Sequence, residues 1–80
     1  MKQYLVTLEA ARVNAGLTQI DAAAKLGVHP QTLARWERDS SNIPYAKICK
    51  IEETYHIPKG LIFFGKVFEF TRKLSNEEVQ

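Results

Sequence analysis

Leu17-Thr-Gln-Ile-Asp-Ala-Ala-Ala-Lys-Leu-Gly-Val-His-Pro-Gln-Thr-Leu-Ala-Arg-Trp-Glu37 reads as two short helices joined by a tight turn. Thr18 is placed to cap the first helix, and after Asp21 only small or long unbranched residues follow up to Leu26. Gly27 then stands where a helix end takes a left-handed residue, a conformation that costs glycine little. Pro30 suits the first turn of a new helix, because its missing N–H has no partner there in any case. The second helix therefore runs from Pro30 to about Arg38.

At about 100° per residue, Leu33, Trp36 and Glu37 fall within one arc of about 100°, and His29 lies close to it. Gln31, Arg35 and Arg38 cluster within about 60° on the opposite side, with Ala34 beside them. One face is apolar and anchored by the only Trp. The other presents an amide and two guanidinium groups, which hydrogen-bond adenine edges, guanine edges and phosphates. A merely solvated face has the same residue types. The neighbouring helix, the glycine turn and their spacing favour the first reading.

At these residues the chain resembles the Cro/C1-type (phage repressor-like, XRE) helix-turn-helix family. The shared pattern runs through Arg12, Gly16-Leu17-Thr18-Gln19, Ala23, Leu26-Gly27-Val28, Thr32-Leu33 and Trp36-Glu37. It continues through Pro44 and the Ile48/Ile51 pair to about Phe64, and fixes spacing across four elements. Within the family the chain is most similar to small repressors of bacteria and their prophages. The resemblance implies an all-α, five-helix domain that binds DNA as a transcriptional regulator.

Eighty residues allow one domain and no second ligand-sensing module. A single cysteine cannot close an intrachain disulfide, and with two histidines it offers too few ligands at zinc-site spacing. No metal, cofactor or small-molecule ligand is expected. The absence of an apolar leader and of any membrane-length run gives the expectation of a cytoplasmic protein with no membrane partner. The net charge of +2 is small. Its distribution says more: residues 22–50 hold five basic against two acidic groups, residues 1–21 balance, and residues 51–80 hold four against five. The excess sits with the proposed reading helix, as a phosphate footprint requires.

Before that core, Tyr4-Leu5-Val6 is a short β-prone run, and Thr7 caps a helix from about Leu8 to Ala15. Arg12 recurs on its apolar side with Leu8, Ala11 and Ala15, and a charge there needs a partner. The resemblance supplies Glu37, giving a largely buried ion pair of fork geometry. Ala23 is assigned to the close crossing of the two motif helices. Gln19 resembles the family residue that contacts a phosphate and braces the reading helix. Two departures from the pattern flank that helix. His29 stands where Ser or Thr usually caps and is a candidate phosphate donor; Asp39 stands where Gly often follows, and tolerates a left-handed conformation. The family's equivalent of the loop Ser40-Ser41-Asn42 holds phosphates, and these side chains have the chemistry to do so.

A fourth helix is predicted from about Pro44 to Tyr55, with Ile48, Ile51 and Tyr55 inward and Cys49 a partly buried small hydrophobe. A short fifth is predicted from about Pro58 to Phe63 with Leu61 and Ile62 on the core. Gly60 to Lys66 superficially satisfies a phosphate-binding loop, but Val67 occupies the required Ser/Thr place and no βαβ context precedes it. Val67-Phe-Glu-Phe70 alternates like a strand, and with Tyr4-Leu5-Val6 it could form a small two-stranded element. Residues 1–65 are thus read as the DNA-binding domain, and 66–80 as a C-terminal extension of strand and dimerisation character with a frayed end.

The function that follows is sequence-specific binding of a double-stranded operator as a homodimer, most simply as a repressor. Gln31, Thr32 and Arg35 would read bases, while Gln19, His29, Arg38, Ser40, Ser41 and Asn42 would hold phosphates. No catalytic grouping is present in the sequence, so an enzyme is not expected. The second reading is an antitoxin-like interaction module that uses the cluster Phe63, Phe64, Phe68 and Phe70. Deleting residues 66–80 separates the two.

Overall fold

Thr7 and Thr18 each turn an extended chain into a helix by the same local device. The Thr7 hydroxyl accepts from the Ala10 N–H at 3.1 Å, and the Thr18 hydroxyl accepts from the Asp21 N–H at 3.1 Å. Each satisfies one amide that a helix start leaves without a partner. The helices they open are α1 (Leu8–Asn14) and α2 (Gln19–Leu26), followed by α3 (Pro30–Arg38) and α4 (Tyr45–Tyr55). The computed structural model describes residues 5–67.

α2 ends at Gly27, which has φ 72° and ψ 34°. The Val28 N–H reaches the Ala23 carbonyl at 3.0 Å and the Gly27 N–H the Ala24 carbonyl at 3.2 Å. This pair of bonds closes a helix around a left-handed residue, and it sets the sharp turn into α3. The Lys47 ammonium donates to the Leu26 carbonyl at 2.8 Å, so α4 also caps α2. α4 itself ends at His56, whose φ of 55° makes it the one left-handed residue other than glycine among those described.

The core gathers Leu8 and Ala11 from α1, Ala22, Ala23 and Leu26 from α2, and Leu33 and Trp36 from α3. Ile51 and Tyr55 from α4, with Ile43 and Ile62, complete it. Ala22 and Ala23 are both fully buried, so α2 and α3 can pack closely, while Ala24 faces solvent. Ile48 packs from the edge and Cys49 is half-buried.

The element expected at Pro58–Phe63 is a single 3-10 turn, Lys59–Leu61. Ile62 leaves it in an extended conformation, φ −103° and ψ 133°. The backbone groups that would have continued a helix are taken by Val6 instead: its N–H donates to the Leu61 carbonyl, and its carbonyl accepts from the Phe63 N–H, both at 2.8 Å. The N-terminal run thus pairs in parallel with Ile62. Among the described residues there are isolated bridges and no strand: Val6 pairs with Ile62 instead of the 67–70 run, Val67 is helical where a strand is expected, and Tyr4, Phe68 and Phe70 lie outside the described residues. Asp39 also differs from expectation. It is extended, φ −149° and ψ 102°, because it pairs with Lys66 in an antiparallel bridge. No described helix is long and apolar enough to cross a membrane.

Candidate nucleic-acid interface

α3 is held by its inner face and presents the other. Leu33 is fully buried, Trp36 and Glu37 nearly so, while Gln31, Arg35 and Arg38 are exposed. Thr32 and Ala34, at the flanks, are half-buried. Arg35 and Arg38 lie in the last turn, where positive charge complements the helix dipole. Pro30 opens the helix, and His29 before it is exposed and makes no side-chain cap.

A buried polar cluster fixes the orientation of α3. Arg12 Nε donates to Glu37 Oε2 at 2.6 Å, and Nη2 reaches Oε1 at 3.5 Å. Arg12 Nη1 donates to the Leu17 carbonyl at 2.8 Å. Gln19 Nε2 donates to Glu37 Oε1 at 2.8 Å. Glu37 therefore collects donors from α1 and from the first residue of α2. The hydrogen bond it donates to Glu37 holds the Arg12 guanidinium above its ordinary pKa, against the opposing effect of burial. Gln19 spends one amide hydrogen on this brace, which leaves its second for a ligand.

The loop after α3 is less uniform than its composition suggests. Ser40 is 3% exposed, and its hydroxyl accepts from the Gly65 N–H at 2.9 Å while lying 3.2 Å and 3.3 Å from the Gly65 and Phe63 carbonyls. A hydroxyl so enclosed cannot also bind a phosphate, and the expectation for Ser40 is corrected on that ground. Ser41 and Asn42 are exposed. The Ser41 N–H and hydroxyl both donate to Asp39 Oδ1, which holds the Asp39 carboxyl below its ordinary range. The Ser40 pairing joins residues 25 apart in sequence, and no local pattern signals it.

Beside the reading face, a cleft of about 570 Å³ is lined by Ile20, Ala24, Val28, His29, Pro30 and Thr32 among others. Ile20 is 69% exposed there. The cleft is apolar and open, without the converging polar groups of a catalytic site.

Two helices crossing at a glycine turn, the second anchored inward and polar outward, define a helix-turn-helix DNA-binding domain. The chain belongs to the helix-turn-helix family of Cro/C1 (XRE) type, whose profile matches residues 8–62. Membership makes DNA its partner and transcriptional regulation its class of role; the family is one of DNA-binding domains and not of enzymes. No curated protein matches the chain significantly.

Proposed function

We propose that the protein is a sequence-specific repressor that binds its operator as a homodimer, with α3 in the major groove. The observation that carries this reading is the exposure of Gln31 and Arg35 on a helix whose opposite face is sealed by Leu33, Trp36 and Glu37. Gln31 suits an adenine edge and Arg35 a guanine edge, with the Thr32 methyl available to a thymine. Gln19, His29, Arg38, Ser41 and Asn42 surround that face and hold phosphates. Two copies related by a two-fold axis would read half-sites about 34 Å apart. Binding across a promoter then excludes the polymerase.

Selection of bound duplexes from a random pool, at stated salt, tests the reading. A palindromic consensus with half-sites one turn apart is expected. On that consensus, Arg35→Ala should relax the preference at one position at a cost of about 1–3 kcal/mol, and Arg38→Ala should weaken all duplexes alike. Equal losses on consensus and random DNA for both variants would overturn the assignment. Sedimentation of the free protein and of the complex checks the dimer.

A further inference from the structure

The chain leaving α3 does not hang free. The Ser40 N–H donates to the Gly65 carbonyl at 2.9 Å, and the Ser40 hydroxyl accepts from the Gly65 N–H at the same distance. One residue further out, Asp39 and Lys66 face each other in an antiparallel bridge. Directly opposed residues of such a pair project to the same side. Lys66 is exposed and makes no ion pair among the described residues. The fold therefore delivers a cation from beyond α4 to the C-terminal end of α3, opposite Asp39. Asp39, held in its charged form by both donors of Ser41, attracts Lys66 across the bridge without closing an ion pair, so the ammonium keeps its donors for a phosphate.

We propose that Lys66 is a further backbone-phosphate contact in the DNA complex, and that Ser40 is the positioning residue that holds it at the end of α3. The inference rests on the proposed entry of α3 into the groove. An ammonium contacting a phosphate adds affinity without reading sequence, because it displaces condensed counterions and touches no base edge. Ser40 contributes by geometry alone. Its buried hydroxyl and amide fix the 63–66 segment against the loop, so the Lys66 side chain starts from a set place and loses less freedom on binding.

The test is fluorescence anisotropy of the full chain on its selected duplex and on a random duplex, each over a range of potassium chloride. Lys66→Ala should weaken both duplexes by the same factor and lower the slope of log affinity against log salt by about one. That corresponds to roughly fourfold less loss over a fourfold rise in salt. Lys66→Arg should restore the slope. Ser40→Ala, checked for folding by its thermal melt, should reproduce the reduced slope, and adding Lys66→Ala to it should change the slope no further. An unchanged slope in Lys66→Ala overturns the contact. A double variant with a slope below that of Ser40→Ala overturns the role of Ser40. Should the wild type bind no duplex at all, the reading of α3 falls as well; specificity loss in Arg35→Ala with an intact Lys66→Ala slope removes this inference alone.

Discussion

Arg12 on α1 and Glu37 on α3 are joined by a 2.6 Å bond between Nε and Oε2, with both side chains nearly out of solvent. Glu37 sits one residue after Trp36, so the bond holds the inner face of α3 where it can present Arg35 and Gln31 outward. A buried pair gains attraction from its low-dielectric surroundings but loses hydration on both ions, so its net stabilisation is small. Removing one ion is different. Arg12→Ala leaves a carboxylate buried and should cost about 3–5 kcal/mol, whereas Arg12→Met with Glu37→Leu should recover much of that loss. Urea unfolding measures both; a single-variant loss under about 1 kcal/mol would mean that the pair behaves as an exposed one.

Gln19 should show a smaller effect of the same kind. Gln19→Ala removes a neutral donor 2.8 Å from Glu37 Oε1 while leaving the Arg12 bonds. We expect about 1–2 kcal/mol in stability and a loss of DNA affinity larger than that loss alone explains. Comparing unfolding with anisotropy separates the brace from any phosphate contact.

Gly27 tests the turn. A Cβ there would meet only the Lys47 ammonium at 3.5 Å, an ordinary contact. The cost of Gly27→Ala is therefore conformational, about 1–2 kcal/mol for a left-handed alanine. Thermal melting should show it, and a loss several times larger would mean that the turn cannot keep its geometry.

Tyr55 gives the alkaline limb of stability. Burial pushes its hydroxyl up to about 12, with Glu37 adding and Arg12 opposing. The unfolded chain gives up this proton near pH 10 and the folded chain keeps it to about 12. The unfolded state thus binds fewer protons in that window, so stability is full below pH 10 and falls as pH rises toward 12. Tyr55→Phe should remove this part of the fall. The hydroxyl has no hydrogen-bond partner among the described residues, so at neutral pH the variant should be neutral or up to about 1 kcal/mol more stable. Melts at pH 7, 10 and 12 decide it.

Asp39 acts in the opposite direction. The Ser41 hydroxyl and N–H lower its folded pKa, so its contribution is present above the unfolded carboxylate value and is lost as pH falls through the folded one. Asp39→Asn should flatten the acid limb of the stability curve. An acid limb identical to that of the wild type would show that the Ser41 bonds do not distinguish the charged form.

The sequence by itself determined the four helices, their starts at Thr7, Thr18 and Pro30, the Gly27 turn and the two faces of α3, because capping, proline placement and periodicity act within a turn or two of chain. Arg12 was legible as a charge in need of a partner, and the family pattern supplied Glu37. Tertiary structure alone decided the fate of residues 39–40 and 57–66. Val6 drew Ile62 and Phe63 out of a helix, Gly65 took the hydroxyl of Ser40 away from solvent, and Lys66 arrived beside Asp39. Each of these rests on pairing between segments far apart in the chain. Ser and Asn serve a solvated turn and a buried hydrogen bond equally well, so only the position of the distant partner selects between them.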